Sequence, residues 1–231
     1  MREIVLDTET TGLDPLDGHR LVEVGCVELI NRIPSGQTFH SYFNPQRNMP
    51  AEAFAIHGLS DEFLKDKPFF AEMADDLIAF LGDAPLVIHN AAFDLGFLNA
   101  ELERAGRQLI ARERLVDTLI IARRKYPGGS NRLDDLCARY AIDNSRRTKH
   151  GALLDAELLA EVYVELIEAR QAQLVLSQAA LSGQIRGEPI IVRARPALLK
   201  SAITAEERAA HRAFVATLGD NAIWRDYVSS D

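Results

Sequence analysis

The chain has 231 residues, 47% hydrophobic and 26% charged, with 34 acids against 26 lysines and arginines for a formal net charge of −8. These proportions exclude a fibrous repeat and a disordered tail protein, and leave one core of about 150 to 200 residues with an appendage. Affinity for nucleic acid comes mainly from cations neutralising phosphates, so an acidic chain acting on a polyanion needs bound metal ions and a partner that delivers the substrate.

The opening M-R-E-I-V-L-D-T-E holds a short apolar strand at residues 3–6, and acids break it before it resembles a leader. No stretch approaches the roughly 18 apolar residues of a membrane span, so a cytoplasmic location is expected. Turn residues G-L-D-P-L-D-G-H-R lead to a second strand at Leu21 to Ile30, and a third is expected at Thr38 to Phe43, closed by Asn44-Pro45. Helical patterns follow at 51–55 and 69–81. A buried strand, Leu86 to His89, then runs into a helix from Ala91 to Ala105, with Asn90 placed to cap it. A brief strand at Leu115-Val116 feeds a helix through Lys125, stopped by Pro127-Gly128-Gly129. Another helix lies near Leu133 to Tyr140, and a long amphipathic helix spans Ala152 to Ala169. From about residue 171 to 199 periodicity fades into a linker. Thr204-Ala205-Glu206-Glu207 then matches a capping box and starts a last helix that stops at Gly219. Cys26 and Cys137 lack any C-x-x-C spacing and read as buried free thiols.

Asp7 and Glu9, two residues apart on a strand, project from one face and repel each other, and a hard cation with oxygen ligands relieves that repulsion. The D-x-E pair alone also fits a solvated strand end. Asp94 alone fits an acid favoured by the dipole at a helix start, and so does Asp155. His150, five residues before Asp155 in H-G-A-L-L-D, alone fits an exposed loop histidine. Together they occur in order as D-x-E, a strand-to-helix D, and H-x-x-x-x-D. That set, in V-L-D-T-E-T-T-G, H-N-A-A-F-D and H-G-A-L-L-D-A, resembles the DEDDh 3′-to-5′ exonucleases. Among them, the chain is most similar to the proofreading subunits of bacterial replicative polymerases. E-A-F-A-I-H-G from Glu52, D-E-F-L-K-D-K-P from Asp61, L-C-A-R-Y-A-I-D-N-S from Leu136 and the tail carry the likeness over nearly the whole chain.

The resemblance implies an α/β, ribonuclease H-like exonuclease fold: a mixed five-stranded sheet flanked by helices, with a C-terminal partner-binding tail. It implies release of deoxynucleoside monophosphates from a single-stranded or frayed DNA 3′ end by two-metal hydrolysis. Asp7, Glu9 and Asp155 would ligate metal directly, with Asp7 as the bridge, and Asp94 would hold the second ion directly or through water. The ions would be Mg²⁺, with Mn²⁺ able to substitute. His150 would be the general base, and Asp7, Glu9, Glu52 and His57 would meet the terminal nucleotide. Phe93 and Phe97 read either as a wedge at the terminal base or as core. Arg146 and Arg147 lie close enough to His150 to touch a DNA backbone.

The expected domains are a DEDDh exonuclease domain at 1–170, a flexible linker at 171–200 and a polymerase-binding segment at 201–231. Within the linker, Gln171-Ala172-Gln173-Leu174-Val175-Leu176 resembles a weak sliding-clamp peptide. Phe214, Val215, Leu218, Ile223 and Trp224 would anchor the polymerase catalytic (alpha) subunit, and the sequence leaves open whether a small theta subunit binds as well. Two readings compete: an RNA-trimming DEDDh exonuclease, and a non-catalytic polymerase-stabilising subunit.

Overall fold

A computed structural model describes residues 1–147, 149–169, 203–219 and Trp224. The chain divides into two compact units, Met1–Leu174 and Val175–Asp231. In the first, strands β1 (Arg2–Thr10), β2 (Leu21–Ile30) and β3 (Ile33–Tyr42) are followed by helices α1 (Ala51–His57), α2 (Asp61–Leu64) and α3 (Phe70–Leu81). The chain then alternates through β4 (Leu86–Ile88), α4 (Ala91–Arg104), β5 (Leu115–Asp117), α5 (Thr118–Lys125), α6 (Leu133–Tyr140) and α7 (Ala152–Leu166). The five strands form one sheet in the order β3-β2-β1-β4-β5. β1 pairs antiparallel with β2 and parallel with β4, which makes the sheet mixed as expected.

The period of two along β1 divides the molecule. Ile4 and Leu6 join Val24, Cys26, Leu77 and Phe97 in one core layer, on the side of α3 and α4. Val5 joins Val27, Val87, Ala156, Leu159 and Tyr163 in the other, under α7. Ile4, Leu6 and Phe97 are wholly buried, and such burial stabilises by about 2 kcal/mol per side chain. Odd-numbered β1 residues therefore face α7 and even-numbered ones face α4.

β1 pairs with β4 only as far as Val5, while its pairing with β2 continues to Thr10. Asp7 and Glu9 therefore lie within a strand whose parallel neighbour has already ended, rather than beyond the strand. The start of α7 presses on β2 at Gly25, where a Cβ would stand 2.2 to 2.4 Å from the backbone of Ala152 and Leu153. Only a residue without a side chain permits that approach, and Gly25 lies directly opposite Asp7.

Several boundaries differ from the sequence reading. β3 starts at Ile33, five residues early, because as an edge strand it is largely exposed and so lacks an apolar alternation; Pro34 is tolerated there. Helix α2 was not anticipated; it is a single turn capped by Ser60, whose Oγ accepts the Phe63 N–H. Asn90 does not cap α4: it sits in the left-handed region with φ 68°, and the Asp117 carboxylate accepts the N–H groups of Asn90 and Ala91 instead. α7 ends at Leu166 rather than Ala169.

In the second unit, helix α8 (Ala205–Thr217) begins at the expected capping box. Thr204 Oγ1 accepts the Glu207 N–H at 3.2 Å and the Glu207 carboxylate accepts the Thr204 N–H at 2.8 Å. Phe214 and Trp224 are exposed, and Val215 is buried. The linker, its glutamine-led peptide and Ile223 lie outside the described residues. Among the described residues no helix is long and apolar enough to cross a membrane.

Candidate active site

Asp7 and Glu9 extend from β1 toward α7. There Asp155, one turn into that helix, and His150, in the loop before it, meet them: ligand atoms of Glu9, His150 and Asp155 all lie within 4.8 Å of one another. Asp94 arrives from the first turn of α4, where its Oδ1 accepts a 2.6 Å hydrogen bond from Thr8 Oγ1. Thr8 is the even-numbered residue between the two β1 acids, so the D-T-E triplet holds acids on both sides of the sheet end. The loop bearing His150 is tied to α1 through the His150 N–H to the Ile56 carbonyl, 3.3 Å, and through Lys149 over the Phe54 ring.

Burial first, then repulsion from Asp94, Glu9 and Asp155, raises the Asp7 carboxyl well above its ordinary range. Burial, then Asp155, Glu23 and Asp94, pushes Glu9 up to about 8. Burial pushes Asp94 up to about 7 against the Thr8 hydrogen bond. Burial also acts upward on Asp155, but the neighbouring His150 and Arg147 outweigh it and hold this carboxyl below the usual range. Buried oxygens that repel one another in this way form a hard donor set, and a divalent cation fits it.

Two cavities meet at this cluster. One, of about 620 Å³, is lined by Glu52, His57, His89, Phe93 and Asp94. The other, of about 980 Å³, runs past Arg123, Gly128, Asn131, Arg147 and Asp155. Asp7 and His150 line both. All seven site residues expected from the sequence thus border one contiguous region, and His57 accepts the Leu59 N–H on Nδ1, leaving Nε2 without a well-formed hydrogen bond. Phe97 is core and takes no part, whereas Phe93 lines the first cavity.

Glu23 and His89 escaped the sequence reading, and Arg147 takes a different place from the one expected. Glu23 is buried directly across from Glu9 and pairs with His40 at 2.7 Å. His89 lines both cavities, with Nδ1 2.9 Å from Thr118 Oγ1. Arg146 is exposed as a surface charge should be, but Arg147 is turned inward with only 7% of its side chain exposed, its guanidinium on Asp155. The parity of Thr8 between two acids was a readable signal; the buried arginine gave none.

An exonuclease family model matches residues 4–163. Two solved structures share the fold: Exonuclease X in complex with 5′ overhanging duplex DNA has a TM-score of 0.55 at 24% identity, covering 71% of this chain and 90% of that one. The nuclease domain of 3′hExo, a DEDDh family member bound to rAMP, has a TM-score of 0.60 at 17% identity, covering 72% and 92%. Sheet, site and family model define a 3′-to-5′ exonuclease, a metal-dependent phosphodiester hydrolase. DNA polymerase III subunit epsilon of Rickettsia felis is 46% identical over 222 residues, 94% of this chain and 97% of that protein. The Escherichia coli K12 subunit of the same name is 45% identical over 237 residues, covering 97% of each. The chain belongs to the DNA polymerase III epsilon subunit family.

Proposed function

We propose that the chain removes deoxynucleoside monophosphates one at a time from a DNA 3′ end, as the proofreading subunit of a bacterial replicative polymerase. The observation that carries this reading is the convergence of Asp7, Glu9, Asp94 and Asp155 with His150 at the junction of two cavities. Asp7, Glu9 and Asp155 would hold metal directly, and Asp94 would hold a second ion directly or through water. Two Mg²⁺ ions, with Mn²⁺ able to substitute, would supply charge stabilisation for the attacking and leaving oxygens of the phosphodiester. His150 accepts the proton of the attacking water, from a half-exposed position that lets a ring nitrogen reach solvent.

The first cavity receives the terminal nucleotide. Glu52 and His57 flank it, the latter with an unsatisfied nitrogen for a polar group of the sugar, and Phe93 offers an apolar side to the base. A base must leave its stack before the last phosphate reaches the acids, which favours frayed and mismatched ends. Release of mononucleotides from matched and mismatched primer ends, with Mg²⁺ and with chelator, tests the reading. A single-stranded RNA of equal length serves as competitor. Strong preference for RNA, or release that ignores the chelator, would defeat it.

Residues 1–170 form the exonuclease domain, 171–200 a linker with a weak sliding-clamp peptide, and 201–231 the segment that binds the alpha subunit. The exposure of Phe214, Leu218 and Trp224 supports this last assignment, since exposed aromatic anchors mark partner surfaces. A theta subunit would be an additional partner. A replicative role supports a cytoplasmic location.

A further inference from the structure

Arg147 is the cation that touches this acid cluster most intimately. Its Nε donates to Asp155 Oδ1 at 2.5 Å and its Nη2 to Asp155 Oδ2 at 2.7 Å, while Nη1 reaches Asp134 Oδ2 at 2.8 Å. The same Nη2 stands 2.7 Å from Nδ1 of His150. One guanidinium thus grips a carboxylate proposed to bind metal and the ring proposed to act as base. We infer that Arg147 competes with a divalent cation for Asp155, and that its departure when the cation is held frees His150 for proton transfer.

This inference rests on the acid cluster being a metal site. First, a guanidinium occupying both oxygens of Asp155 leaves a second cation there to meet a fixed positive charge at close range. The side chain is almost wholly enclosed, so solvent screens that repulsion poorly. Second, a guanidinium carries donors only. That Nη2 lies 2.7 Å from Nδ1 and 3.4 Å from Nε2 of His150, so the guanidinium stands over the ring and crowds both nitrogens. A ring covered in this way is shielded from an incoming water. Once the guanidinium leaves, Nδ1 can carry the hydrogen and turn it to Asp155 Oδ2, already 3.3 Å away, which exposes the Nε2 lone pair. Arg147 is therefore a positioning residue that couples ion loading to release of the base. Asp134 on α6, exposed and already bonded to Nη1, offers the guanidinium a place to remain when it leaves Asp155.

The test measures Mn²⁺ affinity of the full chain by electron paramagnetic resonance for the parent, Arg147→Gln, Arg147→Lys and Asp155→Asn, without substrate. Removing the competing charge should tighten Mn²⁺ binding of Arg147→Gln by about tenfold, the scale of one partly buried charge contact. Arg147→Lys, which keeps the charge but cannot grip both oxygens, should tighten it by a smaller factor and carries the test if the glutamine variant does not fold. Carbethoxylation of His150, followed by mass spectrometry, should be several-fold faster in both variants, because the ring is no longer capped. Unchanged or weaker Mn²⁺ binding by the arginine variants, with Asp155→Asn still impaired, overturns the role of Arg147 and leaves the metal reading standing; so does equal carbethoxylation. Parent binding indifferent to Asp155→Asn overturns both.

Discussion

Glu9 and Asp94 make stability itself a probe of the site. Glu9 titrates near 8 in the folded chain against an ordinary 4.5, and Asp94 near 7 against 3.8. A carboxyl whose folded value is raised binds its proton more tightly in the folded than in the unfolded chain. Its penalty is absent below the unfolded value, grows as pH rises between the two values, and is complete above the folded one. Between about pH 6.5 and about pH 8.5, in chelator, ionisation of Glu9 should cost about 2 kcal/mol of folding free energy and that of Asp94 about a further 1 kcal/mol. Asp7, also raised, adds in the same direction. His57 and His89 are shifted downward by burial, so their destabilising effect falls at lower pH and leaves this window to the acids. Urea unfolding at the two pH values, with chelator and with Mg²⁺, measures the difference. A loss of about 2 to 3 kcal/mol in chelator is expected. It should be reduced in Glu9→Gln and flattened by Mg²⁺. Stability that holds level or rises with pH in chelator would refute the claim that these carboxylates are buried against one another.

Gly25→Ala should lower stability by about 3 kcal/mol or more and reduce activity, because the new methyl meets α7 backbone at 2.2 Å and that helix carries Asp155; thermal melting and nucleotide release check both. His150→Ala should lose about 100-fold or more in turnover while Mn²⁺ and DNA affinity remain, and near-normal turnover would remove the histidine from the chemistry. Removing residues from 171 onward should abolish polymerase binding and spare hydrolysis of a single-stranded oligonucleotide; tight binding by the truncated chain would contradict the assignment of the tail.

The five chemical side chains were legible because they stand in strings whose spacing is tied to strand ends and helix starts. The strand, strand, strand, then α/β order was readable from periodicity, and the capping box at Thr204 from local hydrogen-bond logic alone. What was missed depends on contacts across long stretches of chain. Asp117 caps α4 from 26 residues away, a role that local preference assigned to Asn90. Glu23 lies within the second strand, and only the pairing with β1 sets it against Glu9. Arg147 was expected with Arg146 beside a DNA backbone, and only the fold of the loop before α7 turns it inward onto Asp155. Edge strand β3 was underestimated because exposed positions carry no apolar alternation.

The parity of β1 explains why so few residues suffice to build the cluster. Asp7 and Glu9 point toward α7 because Val5 does, while Thr8 points toward α4 because Ile4 and Leu6 do. Slipping β1 by one residue would carry Val5 into the other layer and turn both acids away from Asp155, so packing of the core and assembly of the site are enforced by one register. The parallel partner must also be short. β4 ends at Ile88 and leads at once into the helix that supplies Asp94, leaving the far half of β1 open on that edge. Longer pairing would cover the acids with backbone, and the open edge is what lets two cavities and the acids from α4 and α7 meet there.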